Sequence, residues 1–135
     1  MTRIDFAAAD WGGRDRQWRS TFMNSLSGFR SAALLGTRST NGRENLAIFS
    51  QIVHLGAHPP LLGIVFRPDS VERHTLANLR ETGEASLNLI TAECVAAAHQ
   101  TSARYPVDTS EFAATGLAPA ARFAYAKPNL PPRPR

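Results

Sequence analysis

The chain has a single cysteine, Cys94, a single lysine, Lys127, and no apolar run near the eighteen or so residues that a membrane-spanning helix requires. One cysteine excludes an intrachain disulfide and a multi-cysteine zinc site, which makes a reducing, cytoplasmic setting the simpler expectation. The N-terminus, Met1-Thr2-Arg3-Ile4-Asp5-Phe6, has no apolar segment behind its arginine, so neither secretion nor membrane insertion is expected. Gly-x-Ser-x-Gly is absent, which removes the usual support for a serine hydrolase. The four histidines, at 54, 58, 74 and 99, form no His-Glu-x-x-His pattern, so no metal is expected.

What is present is an ordinary globular composition. A 43% hydrophobic content over 135 residues is enough for one domain with a core of its own. Lys and Arg number 15 against 11 Asp and Glu, a formal charge of +4 carried almost wholly by arginine. Guanidinium groups suit phosphate. Arg14, Arg16 and Arg19 cluster near the start and Arg133 and Arg135 near the end, while the rest are scattered among apolar segments. Nucleic-acid binding is therefore not expected, since a polyanion site needs a basic stripe on one face.

Residues 1–30 read as an arm followed by a short helical piece, with a turn from Asn24 to Gly28. Ser31 to Thr37 is short and apolar, as suits a strand buried on both faces. Asn41-Gly42 then predicts a hairpin into a second strand from Asn45 to Ser50, because both turn residues tolerate positive φ. Gln51 to His58 carries no clear pattern, and His58-Pro59-Pro60 demands extended backbone or a turn before a third strand over Leu61 to Phe66. Cap-forming residues from Asp69 precede a short helix at Leu76 that Gly83 closes, and Ala85 to Ile90 returns to strand. Thr91 suits the N-cap of a helix running to about Gln100 with a face of Val95 and His99, and Cys94 within it is expected to be buried rather than reactive. Phe112 is expected to plug back into the core. Lys127 to Arg135 holds four prolines in nine residues and reads as extended or disordered. The pattern describes an antiparallel sheet or partial barrel with helices inserted between its later strands.

Two groups of residues carry chemistry. Asn45-Leu46-Ala47-Ile48-Phe49-Ser50 mixes small and polar side chains with apolar ones, leaving a strand whose backbone a flat ring could approach closely. The same residues also suit an ordinary strand with Asn45 capping the turn. Arg67, then Arg73-His74-Thr75 with Asn78, places two guanidinium groups, an imidazole and a hydroxyl before a helix start, a combination suited to an anion. A solvated, capped helix with Arg73 paired to Glu72 or Glu81 fits equally. His99-Gln100-Thr101-Ser102 either lines a pocket or satisfies a helix C-terminus.

Taken in order, Ser25-Leu26-Ser27-Gly28-Phe29, Asn45 through Ser50, Pro59-Pro60-Leu61-Leu62-Gly63, Arg73-His74-Thr75 with Asn78, His99 through Pro106, and Glu111-Phe112 with Gly116-Leu117 resemble the flavin reductase-like family. The resemblance runs from about Phe22 to Pro119. It implies a mainly β fold with inserted helices, the split β-barrel that binds FMN (or FAD), usually as a homodimer with each flavin near the subunit interface and with NADH or NADPH as electron donor. By matching position, Asn45, Leu46, Ala47 and Ser50 would contact the flavin ring and ribityl chain, Arg67, Arg73, His74 and Thr75 would hold the phosphate end, and His99 and Ser102 would border the pocket. No catalytic side chain is implied, because hydride transfer belongs to the stacked nicotinamide and flavin rings. The organisation expected is an arm over 1–21, a partial flavin reductase-like domain over 22–122 and a Pro/Arg-rich tail over 123–135. Domains of the family continue with strands that close the barrel, so this ending predicts a truncated or frame-shifted product, and a non-catalytic flavin-binding or assembly module stands as the alternative function.

Overall fold

The computed structural model describes residues 7, 11–67 and 73–119. The expectations for the rest of the first ten residues, for the segment from Asp69 to Glu72, and for the Pro/Arg-rich tail lie outside the described residues. Two units form, Met1–Arg30 and Ser31–Arg135.

In the first unit, helix α1 spans Arg16–Leu26. Asp15 caps it: the side-chain Oδ1 accepts the Trp18 N–H at 2.7 Å, satisfying one of the amides a helix start leaves unpaired. Trp18 and Phe22, four residues apart and hence on one face, stack with centroids 5.0 Å apart, and Trp11 packs edge-on to both. The Arg14 guanidinium lies over the Trp18 ring at 4.7 Å. The turn expected from Asn24 begins only after Leu26. Ser25 Oγ donates to the Thr21 and Phe22 carbonyls behind it, so a residue read as a turn former is absorbed into the helix. Gly28, at φ +63°, makes the actual turn.

The second unit is built on a three-stranded antiparallel sheet of order β2-β1-β5, with β1 at Ala33–Arg38, β2 at Glu44–Phe49 and β5 at Ser86–Leu89. The Asn41-Gly42 hairpin joins β1 to β2 as expected, Gly42 taking φ +85°. Gly36 sits on β1 opposite Ser86, where an added Cβ would stand 2.6 Å from Ser86 Oγ, so a larger residue there would make the Ser86 side chain shift.

Strand register divides the side chains between two faces. Directly paired residues share a face, so Leu35, Thr37, Asn45 and Ala47 point one way and Leu34, Leu46 and Ile48 the other. Helix α2, His74–Thr82, covers the first face with Thr75, Leu76, Asn78 and Leu79 buried, and Gly83 ends it in the left-handed conformation. The opposite face is covered by α3, Val95–Gln100, and α4, Glu111–Thr115. There Leu34, Leu46 and Ala98 form a buried cluster, with Ile48, Ile90, Phe112 and Leu117 packed against it. Phe112 thus plugs the core as expected, and helices on both faces explain why β1 is buried along nearly its whole length.

A short 3₁₀ turn, Ala92–Cys94, leads into α3, with Thr91 as N-cap. Hydrogen bonds from the Thr91 hydroxyl and then from its own backbone hold the exposed Glu93 carboxyl below its ordinary range. Cys94 is half-buried, its Sγ in contact with the Thr91 amide and hydroxyl. The face expected from Val95 and His99 is on the outside, and it is Ala98 that faces the core. The reason is steric: a methyl group lets the helix lie close on the sheet, which the larger side chains would prevent.

The segment without a clear pattern, 51–58, contains a strand. β3, Ile52–Ala57, pairs antiparallel with β4, Pro60–Ile64, through a His58–Pro59 turn with a cis peptide bond and a bulge between His54 and Gly56. The bulge leaves one extra residue, Leu55, unpaired between His54 and Gly56, and so breaks the alternation that would reveal a strand in sequence. The strand expected to reach Phe66 stops at Ile64, and Phe66 instead meets Phe49 edge-on at 4.9 Å. No helix among the described residues is long and apolar enough to cross a membrane.

Candidate functional site

The chain brings the start of α2 to the start of β2 through a buried polar network. Asn45 Nδ2 donates to Thr75 Oγ1 at 2.8 Å and to Thr37 Oγ1 at 3.4 Å, and Asn78 Nδ2 donates to the same Thr37 oxygen at 3.2 Å. All four residues are at most 8% exposed. Both amide hydrogens of Asn45 are used, and the two lone pairs of Thr37 receive one amide each. Thr75 accepts from Asn45 and keeps its own hydroxyl proton to donate.

Two more of the residues singled out in sequence, Arg73 and His74, stand beside Thr75. Arg73 is the N-cap residue of the nine-residue helix α2, and no side chain caps the first turn. Its guanidinium Nε is buried without a hydrogen-bond partner. A buried cationic donor left unpaired is costly, and the first-turn amides of a helix carry a partial positive charge, so the two features together fit an anionic group. The sequence option of an ion pair between Arg73 and Glu81 is not taken: Glu81 lies at the other end of α2 and binds the Thr40 hydroxyl and amide at 2.5 and 3.3 Å. His74, half-buried, lines a cavity of about 120 Å³ together with Asn45, Asn78, Arg43, Thr109 and Glu111. That is room for about four waters. It falls below the roughly 300 Å³ at which small-molecule pockets begin.

Glu81 lies at the rim of the same cavity. Its hydroxyl and amide bonds from Thr40, with a smaller contribution from Arg43, hold its carboxyl below the ordinary value of 4.5. A depressed folded-state pKa means that the tie between the β1–β2 turn and α2 is fully present above 4.5 and is lost as the pH falls below it. The protection factor of the Thr40 amide, its exchange rate taken relative to the intrinsic rate at each pH, should fall toward acid across that window; a protection factor that stays constant would contradict the link.

The remaining expected residues are placed as follows. Ala47 shares a strand face with Asn45, two residues along β2 and hence about 7 Å away. Leu46 does not offer its amide: the N–H donates to Glu111 Oε2 at 3.1 Å, and its side chain is in the core. Ser50 is exposed in the turn after β2, and Arg67 is exposed at the last described residue before 73. His99 and Ser102 do not join the others, because α3 packs on the opposite face of the sheet from α2. Ser102 Oγ donates to the His99 carbonyl at 2.7 Å, the helix-ending role that was the alternative for these residues. His54 lies on β3 beside the bulge, and His58 lies in the turn between β3 and β4. Two residues were not anticipated: Thr37, which read simply as the end of an apolar strand, and Glu111, which read as part of an acidic turn yet is only 6% exposed.

Comparisons with known proteins agree with this architecture. A solved structure from Shewanella frigidimarina, described as a flavin reductase with a split barrel domain, matches with a TM-score of 0.83 and 44% identity over 89% of this chain and 59% of that one. Nitrilotriacetate monooxygenase component B from Bacillus cereus matches with a TM-score of 0.76 over 96% of this chain and 63% of that one, and at 22% identity this likeness concerns the fold. Among curated proteins, the uncharacterized protein BH2278 of Halalkalibacterium halodurans is 32% identical over 103 residues, or 75% of this chain. The chain spans about half the length of that relative. The family model for the flavin reductase like domain matches residues 28–131, which include every strand and every helix after α1 described above. With a split-barrel fold among its structural relatives and most of its length within that match, the chain belongs to the flavin reductase-like domain family.

Proposed function

We propose that this chain contributes the flavin-binding part of an FMN-dependent oxidoreductase that takes electrons from NADH or NADPH and passes them to flavin or a downstream acceptor. The observation that carries the reading is Arg73: a buried guanidinium nitrogen without a partner, at the uncapped start of α2, beside His74 and a Thr75 hydroxyl with a proton to give. A terminal phosphate needs this set of donors. Arg73, His74 and Thr75 would hold the phosphate, while Ala47, small and on the same side of β2, would let a flat ring approach the strand. The flavin supplies the redox chemistry when bound; the chain binds it, orients it and leaves the backbone of β2 close to it.

Membership of the family supports a flavin-linked function, and the choice of FMN and of a nicotinamide donor is part of the proposal. So is a homodimer. The cavity is too small to enclose a ring, and several large apolar side chains are exposed, Leu89 at 82% among them, so a second copy is proposed to complete the pocket.

Titrating the purified chain with FMN tests the reading. A red-shifted, structured flavin band and saturable binding are expected, followed by loss of nicotinamide absorbance when NADH or NADPH is added. A chain that leaves the FMN spectrum unchanged would end it. Binding without nicotinamide oxidation would favour the second reading, a non-catalytic flavin-binding module, for which the small size of the cavity speaks.

A further inference from the structure

We propose that Thr37 is a positioning residue for the phosphate end of the site, acting through Asn45, Asn78 and Thr75, and that the Asn45 side chain belongs to this device rather than to the ligand contact. The proposal rests on the flavin reading above.

Thr37 lies on β1, the central strand, at 6% exposure, and is covered by α2. Its Oγ1 is the point at which two carboxamides meet, one from β2 and one from α2. Asn45 then spends its second N–H on Thr75, one residue into the first turn of α2. The start of α2 is therefore held at two points, at Thr75 by β2 and at Asn78, one turn later, by β1. Thr37 is the acceptor in the second tie, and in the first it accepts the other N–H of the Asn45 carboxamide that reaches Thr75. With no side chain capping α2, this network is what aims the first-turn amides and Arg73. The two N–H groups of Asn45 are consumed in it, which leaves no amide donor on that side chain for a flavin carbonyl.

A residue that sets only the anion-binding end should alter recognition of the phosphate and not of the ring. The test measures the Kd of FMN and of riboflavin, which lacks the phosphate, by flavin fluorescence on the full chain. Thr37→Val keeps the shape and removes the acceptor, and should weaken FMN by about tenfold, the worth of one to two buried hydrogen bonds, with riboflavin changed less than twofold. Thr37→Ser keeps an Oγ and should restore FMN affinity. If circular dichroism shows that Thr37→Val is unfolded, Asn78→Leu removes the other half of the same tie and should produce the same selective loss. FMN and riboflavin weakening in parallel, or an FMN affinity indifferent to both substitutions, would overturn the positioning role while leaving the flavin reading standing. Wild-type chain that binds neither flavin would bring down the flavin reading, and this proposal with it.

Discussion

Replacing Leu35 by alanine should destabilise the chain by about 2 to 5 kcal/mol, the range seen when a fully buried leucine is truncated and its site cannot collapse. Leu35 is 2% exposed and is the largest side chain so completely enclosed among the described residues. It stands on the central strand, paired with Ala47 on one side and Leu87 on the other, under α2. Ala47 is too small to fill the space left behind, and the paired backbones on both sides prevent the strand from moving inward. Domains of this size have only some 5 to 15 kcal/mol of stability in total, so the loss is expected to be visible as a marked drop in the urea midpoint at unchanged m-value. A midpoint within experimental error of the wild type would mean that α2 and the sheet repack freely, against the geometry described.

Glu111→Ala should have the next largest effect, about 1 to 3 kcal/mol, because it strips the acceptor from a backbone amide that remains buried. Glu111 is the first residue of α4, and its carboxylate reaches across to the Leu46 N–H on β2, which is an edge strand. An edge strand leaves alternate N–H groups unpaired, and here a side chain 65 residues further along the chain satisfies one of them. Glu111→Gln keeps an oxygen at the same reach and should recover most of the loss. Hydrogen exchange at Leu46 gives the specific readout: that amide should become the most accelerated of β2 in Glu111→Ala. Uniform acceleration along β2 would instead point to global destabilisation and remove the assigned role of the single bond.

The two residues differ in how visible they are before folding. Leu35 lies in an apolar run whose burial follows from composition and length, since a segment such as Ser31 to Thr37 has nowhere else to go in a domain with one core. Nothing in the neighbourhood of Glu111 marks it as buried. Carboxylates are almost never enclosed unless paired, and its partner is a backbone amide that has no sequence signature.

The same division runs through the site. Local chemistry alone was enough for the Asn41-Gly42 hairpin, the stop of α2 at Gly83 and the cap at Thr91, because each depends on residues within one turn of one another. β3, the partner of the anticipated strand β4, escaped because its bulge disrupts the period-two pattern that a strand reading relies on. Asn45, Arg73, His74 and Thr75 could be singled out by residue type. Their grouping could not be read this way: Asn45 and Thr75 are 30 residues apart, and each type also suits a turn or a solvated helix.

Residue order settled which short segments other than β3 would be strands, where the glycine and asparagine turns would fall and that arginine would carry the positive charge, since these follow from backbone preference and solvation acting locally. Tertiary packing alone decided that α2 and α3 take opposite faces of one sheet, which unites Asn45 with Thr75, sets His99 and Ser102 apart from them, and leaves the Arg73 Nε buried without a partner. The cause is that hydrogen bonds between distant residues form only after apolar burial has chosen the faces, and that choice is a property of the whole sheet.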